Sequence, residues 1–157
     1  MKNGILGFME ILITRLKEWQ ANSVVLYSTA QGFHWNVEGP LFTQYHSFFG
    51  EIYADVYSTV DTISEWMRKF DVVAPYTLSE FVANNSYGDV QNDSNSPIIM
   101  SRQLLDMNEK MLSDIRIMFD EAVLQNQQAL ANFLAEREDK HQFWSWWLKS
   151  SLKSTIN

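Results

Sequence analysis

Long stretches of this chain place apolar residues at every third or fourth position, and this spacing strongly restricts the fold. In the first 34 residues the repeat passes through Leu12, Leu16, Trp19 and Leu26 to Phe33, and no proline interrupts it. The three prolines stand at positions 40, 75 and 97, outside the periodic stretches. Because proline breaks a helix interior, this distribution predicts that the periodic stretches are long, unbroken amphipathic helices.

The same spacing predicts three more long helices. The second covers about residues 41–70, the third opens at Ser96-Pro97 and ends near Val123, and the fourth follows a Gln/Asn break at 125–128 and ends near Lys153. A turn at residues 36–40 separates the first two helices, with Gly39 suited to the bend and Pro40 to a first helical turn.

Between the second and third helices lies a different kind of sequence, from Val72 to Pro97. Thr77 and Glu80 have capping-box spacing, which predicts a short helix over Leu78–Val82. Residues 84–97 are polar and rich in turn formers, and we expect them to be exposed. A crossover of this length can run along the bundle and leave helices two and three parallel. The fold class predicted is all-α, a ferritin-like four-helix bundle with a long crossover carrying a short extra helix, in a single domain over 1–157.

Composition excludes several classes of protein. There is no cysteine, which rules out disulfides, thiolate metal sites and a cysteine nucleophile. The formal net charge of −7 argues against a simple binder of nucleic acid or anionic membrane. The N-terminal apolar stretch is interrupted by Glu10 and lacks a cleavage-site pattern, and no run is long enough to span a membrane. We therefore expect a cytoplasmic protein.

Four residues carry the ligand chemistry of the chain: His34, His46, Asp61 and Glu65. Asp61 and Glu65 are four positions apart and share one face of the second helix. His34 ends the first helix and His46 lies near the start of the second, so the two can be neighbours across the turn. His46 and Asp61, however, are separated by about 22 Å along one helix. They cannot hold the same ion within one chain.

A two-fold dimer about the middle of the second helix would bring the two pairs together. Each of its two sites would combine two imidazoles with two carboxylates, a set suited to Fe²⁺, Mn²⁺ or Zn²⁺. The simpler interpretation, a carboxylate pair on a solvated outer face, stays open from the spacing alone.

The spaced motif His34-Trp-Asn-Val-x-Gly39-x-x-Phe42-x-x-x-His46, followed by Tyr53 and then Asp61-x-x-x-Glu65, resembles the signature of the Dps family of mini-ferritins. The resemblance extends in outline over the whole chain. It implies a shell of twelve subunits, built from two-fold dimers, that oxidises Fe(II) between subunits and stores ferric mineral. His34 and His46 would then be catalytic metal ligands from one subunit and Asp61 and Glu65 from its mate. The cofactor implied is iron, with Zn²⁺ as a substitute occupant and hydrogen peroxide as the oxidant.

The chain departs from this family at several positions. Gly50 stands where some members carry a further acid, which puts a second iron position in doubt, and Trp66 stands where arginine is frequent. Members of the family admit iron through pores lined by acids early in the last helix. Residues 123–135 contain no acid, and Glu136, Glu138 and Asp139 are the nearest substitutes.

Two further features have structural interpretations. Glu138 and His141 form one Glu-x-x-His pair of the kind used by larger ferritins, but no second copy exists, so we expect His141 to be structural. Trp144, Trp146 and Trp147 are expected to pack in the core or between subunits.

The functional alternatives are a non-catalytic cage and a DNA-associated structural protein, each with a weak metal site. Direct DNA binding is disfavoured because the chain has no basic tail and its acid excess would be repeated twelve times in a shell.

Overall fold

Five helices follow one another in the computed structural model, which describes residues 2–91 and 94–153, with side chains described from Met9 onward. They are α1 (Lys2–Asn36), α2 (Phe42–Lys69), α3 (Leu78–Asn84), α4 (Pro97–Leu124) and α5 (Gln128–Leu152). The four long helices and the short one in the crossover confirm the predicted fold class. Their ends lie within one or two residues of those predicted from the apolar spacing.

The apolar stripes of the four long helices face one another. α1 packs along α2, α4 packs along α5, and α1 also contacts α4. The shared core contains fully buried side chains from all four helices: Leu12, Leu16, Phe49, Ile63, Leu104, Ile115, Leu134 and Leu148. None of the helices among the described residues is long and apolar enough to cross a membrane.

The turn between α1 and α2 is short, and its geometry explains one glycine. Gly39 has a φ of 117°, which residues with a side chain rarely adopt. Its carbonyl accepts the backbone N–H of Phe42 at 3.0 Å, which closes the turn as α2 begins. The turn therefore places the end of α1 beside the start of α2.

The crossover is anchored to the bundle at several points. Thr77 and Glu80 form the predicted capping box at the start of α3. The Asn22 amide donates to Ser86 Oγ at 3.0 Å, and Tyr87 donates its hydroxyl to Asp114 at 3.0 Å. Burial raises the pKa of both Tyr87 and Asp114. The expectation that the whole polar stretch is exposed is therefore wrong at Tyr87, because its ring packs against the core.

Candidate metal centre

The end of α1 and the start of α2 bring His34 and His46 into contact. His34 lies two residues before α1 ends, and His46 lies one turn inside α2. The two imidazole rings stack with their centroids 3.7 Å apart and their planes inclined by 23°. The spacing of the two histidines had predicted this adjacency.

Each histidine is held by the backbone of the other. The Nδ1 of His34 lies 2.6 Å from the His46 carbonyl oxygen, and the Nδ1 of His46 lies 2.7 Å from the His34 carbonyl oxygen. A carbonyl oxygen only accepts hydrogen bonds, so both Nδ1 atoms must carry the proton. In the neutral imidazoles the lone pair is therefore on Nε2, the atom that remains to bind a metal.

Aromatic rings enclose the histidine pair. The Phe42 ring lies 5.1 Å from the His46 ring, and the Tyr53 ring meets the His34 ring edge-on at 5.3 Å. Both imidazoles are half-buried. These contacts, together with the reciprocal hydrogen bonds, fix the orientation of both rings without any contribution from a second chain.

The carboxylates have a very different environment. Asp61 and Glu65 lie on the exposed face of α2. Within residues 2–91 and 94–153, neither carboxylate has a hydrogen-bond or ion-pair partner. Because α2 is one continuous helix, His46 and Asp61 are about 22 Å apart along its axis. Accordingly, no group of three or more potential metal ligands comes together among the described residues of one chain.

A single stripe along α2 joins the two pairs. It contains residues three or four positions apart: His46, Gly50, Ala54, Tyr57, Asp61 and Glu65. Ala54 and Tyr57 are exposed and stand near the midpoint of this stripe, and Tyr57 is 62% exposed. The Tyr57 ring contacts the Tyr27 ring of α1 edge-on at 5.2 Å. We call this set of residues the α2 stripe.

Exposed apolar side chains also occur on α3, which packs against α1. Leu78 and Val82 on α3 are 80% and 75% exposed. A groove of about 470 Å³ runs between α1 and α3, and Val24, Val25 and Phe81 contribute to its lining. Exposed apolar surface of this kind is typical of a face that another chain covers.

The third histidine lies in the core. His141 is 2% exposed, and its Nδ1 lies 2.7 Å from the Asn108 side-chain oxygen. Burial lowers the pKa of His141 to about 3, and the nearby positive charge of Arg137 adds to this effect. The Glu138 carboxylate instead pairs with Arg116 at 2.8 Å. The contacts of both residues confirm the structural interpretation of His141.

A polar network beside His141 was not foreseen from the sequence. Arg137 binds both carboxylate oxygens of Asp55, at 3.0 and 2.8 Å, and the Trp144 indole N–H donates to Asp55 at 2.7 Å. Burial alone would raise the pKa of Asp55, but the bonds and charge of Arg137 outweigh it and hold that pKa below its ordinary range. The network ties the middle of α2 to α5. Asp55 was missed because its partner lies 82 residues away in the sequence.

The tryptophans divide between core and surface. Trp144 is 2% exposed, and Trp147 is partly buried against the core, as expected for packing residues. Trp146 is 62% exposed and does not pack in the core of the single chain, which leaves packing between subunits as the expectation for this residue. Because the three tryptophans follow one another within one turn of α5, the helix places Trp144 and Trp147 against the bundle and Trp146 at the surface.

The acids early in α5 do not form a cluster. Glu136 and Asp139 are exposed, whereas Glu138 is occupied by Arg116 and by the Gln142 amide. The stretch before them, residues 123–135, carries no acid. Among the described residues of one chain, this part of α5 therefore has no cluster of acids that could line an entrance for iron.

The donor atoms of the two pairs are imidazole nitrogen and carboxylate oxygen. This combination suits a divalent ion such as Fe²⁺, which accepts both kinds of ligand. Four protein ligands would leave further coordination positions on the ion for a reactant. The residues therefore fit an iron site, provided that two chains share it.

Known proteins share the architecture of this chain. The sequence profile of the ferritin-like domain family matches residues 13–155. A DNA protection during starvation protein from Brevibacillus brevis is 26% identical over 153 residues, which cover 98% of this chain and 100% of that protein.

Solved structures share the fold at lower identity. Dps from Thermosynechococcus elongatus superposes with a TM-score of 0.92 at 22% identity, covering 96% of each chain. Antigen TpF1 from Treponema pallidum gives a TM-score of 0.90 at 19% identity, covering 94% of each chain. A Dps protein from Vibrio cholerae, described as one of the ferritin-like diiron-carboxylate proteins, gives 0.88 at 22% identity, covering 94% of this chain and 92% of that one. The profile match over most of the sequence, with these relatives, shows that the chain belongs to the ferritin-like domain family as a mini-ferritin of the Dps type.

Proposed function

We propose that this protein is an iron-storing ferroxidase whose sites are each completed by two copies of the chain. The observation that carries the proposal is the α2 stripe. At one end it begins with His46, which together with His34 presents two oriented imidazoles, and at the other end it carries two carboxylates without a partner among the described residues. His34 and His46 of one copy would bind iron together with Asp61 and Glu65 of a second copy.

An antiparallel two-fold dimer satisfies this geometry. With its axis near Ala54 and Tyr57, each copy's histidine pair would face the other's carboxylate pair, which gives two equivalent sites. The exposed Tyr57 ring would be covered in the same contact. A single chain cannot do this, because its own pairs lie about 22 Å apart.

Iron would be the substrate of the reaction as well as the ion that the four side chains bind. Two Fe²⁺ ions would each give one electron to a peroxide molecule. Its O–O bond breaks, and with two protons it leaves as two waters. The neutral imidazoles donate their Nε2 lone pairs and the carboxylates supply negative charge, which stabilises Fe³⁺ more than Fe²⁺. The Nδ1–H···O=C bonds hold both rings in the binding tautomer throughout.

The larger assembly follows from the family. We propose a shell of twelve chains, with each chain one ferritin-like domain, that stores ferric mineral in the cytoplasm and limits oxidative damage by removing Fe²⁺ and peroxide together. Zn²⁺ would compete for the same nitrogen and oxygen ligands. The net charge of −7 per chain supports a function without direct DNA binding.

Anaerobic titration with Fe²⁺, followed by peroxide, tests the proposal. The wild-type protein should bind iron at a fixed stoichiometry and oxidise it rapidly on addition of peroxide. The double variant His46→Ala with Asp61→Ala should lose the fast phase, whereas His141→Gln should keep it because His141 lies in the core. An unchanged rate in the double variant would contradict the site assignment.

A second candidate function is that of a non-catalytic cage. The observation in its favour is that residues 123–135 contain no acid. In that case the wild-type protein would form a shell but would show no fast oxidation and would not accumulate iron beyond its binding sites. Metal content after iron loading therefore separates the two functions.

A further inference from the structure

Gly50 occupies an unusual place for a glycine, the interior of the long helix α2. Glycine is among the least favourable residues there because it has the most backbone freedom to lose. Apart from its chain neighbours and the nearby backbone of α2, His34 is the only described residue that a Cβ built at this position would meet within 4 Å. This Cβ would lie 3.2 Å from His34 Nδ1 and 3.4 Å from its Cε1. The lack of a side chain at residue 50 therefore makes room for one imidazole.

The hydrogen bonding of α2 explains why His34 comes so close. In an α-helix, the carbonyl oxygen of residue 46 accepts the N–H of residue 50. The same His46 oxygen lies 2.6 Å from His34 Nδ1. To donate to that oxygen, the His34 ring must lie against the helix backbone next to residue 50.

His34 has little freedom to move away. Its ring is stacked on His46 with the centroids 3.7 Å apart, and the edge of Tyr53 lies 5.3 Å away. A contact of 3.2 Å is tighter than a methyl group and a ring atom ordinarily allow. A methyl group at residue 50 would therefore lengthen the Nδ1···O bond or tilt the ring.

We propose that Gly50 is a positioning residue for the metal site: because it has no side chain, the His34 imidazole can lie against α2 and stack on His46. This inference rests on the proposed function, since it assigns Gly50 to the same site. It predicts that Gly50→Ala changes metal binding far more than stability. Alanine should strengthen the helix, whereas the displaced ring should weaken the site.

The test compares Gly50→Ala with Gly32→Ala, a matched control in α1 whose added Cβ would have nothing within 4 Å. Anaerobic Co²⁺ titration of the metal-free protein is followed by visible absorption, and thermal unfolding is measured without metal. Gly32→Ala should melt above the wild-type temperature by up to roughly 4 °C, whereas Gly50→Ala should melt near the wild-type temperature because the weakened His34 contacts offset the gain in helix stability. Only Gly50→Ala should weaken Co²⁺ binding, by about tenfold or more, with an altered absorption spectrum.

The possible failures are distinguishable. If the wild-type protein binds no Co²⁺, or if His46→Ala leaves Co²⁺ binding unchanged, the proposed function fails. If the wild type binds Co²⁺, His46→Ala does not, and Gly50→Ala binds as tightly as Gly32→Ala, then only the role of Gly50 is overturned. A change in assembly size confined to Gly50→Ala would also overturn it, by assigning residue 50 to contacts between chains.

Discussion

The two ends of α2 differ in how completely one chain prepares them. At the N-terminal end, two imidazoles are stacked, half-buried and hydrogen-bonded to each other's backbone. At the other end, Asp61 and Glu65 stand exposed, without a partner among the described residues. The chain therefore fixes the two imidazoles by itself, whereas under the proposed function the order of the carboxylates would come from metal and a second copy.

This difference has a physical reason. A neutral imidazole can be half-buried at low cost if its N–H is hydrogen-bonded, whereas two carboxylates buried without a cation would be strongly unfavourable. Exposure of the carboxylates to water avoids that penalty in the single chain, and under the proposed function it would do so until iron binds.

The largest effect is expected at the midpoint of the α2 stripe. Tyr57→Glu would place two like charges near the proposed two-fold axis, which destabilises the contact by several kcal/mol. The rate of Fe²⁺ oxidation should fall by about a hundredfold or more, although the four proposed ligands remain. Light scattering should show loss of the dimer, and Tyr57→Phe should behave as the wild type. A Tyr57→Glu protein with full activity would contradict the dimer geometry.

His141, which is buried in the core, contrasts with the half-buried pair His34 and His46. The pKa of His141 is about 3 in the folded chain, against an ordinary value of 6.5. Between these values the unfolded chain binds a proton that the folded chain does not, so stability falls as the pH falls. The free energy of unfolding should decrease by about 2 kcal/mol from pH 7 to pH 5.

Chemical denaturation of the metal-free protein at both pH values measures this effect. His141→Gln should remove that part of the pH dependence, although other groups such as Asp55 and Asp114 still titrate. The same slope in wild type and His141→Gln would mean that His141 is not held neutral in the core.

The histidine end should contribute to stability even without metal. His46→Ala removes a hydrogen bond of 2.7 Å to the His34 carbonyl oxygen and the stacking of the two rings. Metal-free His46→Ala should be destabilised by about 1–2 kcal/mol. If denaturant unfolding shows no loss, the histidine pair is not as ordered before metal binding as the structure indicates.

The smallest effect on the stability of the metal-free protein is expected at the carboxylate end of α2. Its sign should be opposite to that of His46→Ala. Asp61→Asn relieves repulsion between two like charges four residues apart, which should stabilise the metal-free protein by about 0.2–0.5 kcal/mol. The same variant should lose most of its affinity for Fe²⁺ or Co²⁺. A clear loss of stability in Asp61→Asn would show that Asp61 has a structural partner.

Much of the fold could be predicted because its signals are local. Apolar spacing defined the four long helices, and the Thr77–Glu80 capping box defined the start of α3. The packing of Tyr87 and the Asp55–Arg137 pair could not be predicted, since both depend on residues distant in the sequence.

For the candidate site, the placement of the two pairs could be predicted from the sequence, but the reason for Gly50 could not. The His34–His46 adjacency followed from the short turn between them, and the separation of His46 from Asp61 followed from helix geometry. Gly50 was noted only as a departure from the family. The spatial reason for it, the nearness of the His34 ring, depends on ring positions that spacing does not give.

The central claim, that each site takes its histidines and its carboxylates from different chains, is tested most directly by combining two inactive variants. One carries His34→Ala and His46→Ala, and the other carries Asp61→Ala and Glu65→Ala. Each alone should show no fast peroxide-dependent oxidation of Fe²⁺. When the two are coexpressed, random pairing would make half of the dimers mixed, each with one intact site, so about one quarter of the wild-type sites should return. If mixed assemblies form, as shown by mass spectrometry, and no activity returns, the shared site is contradicted.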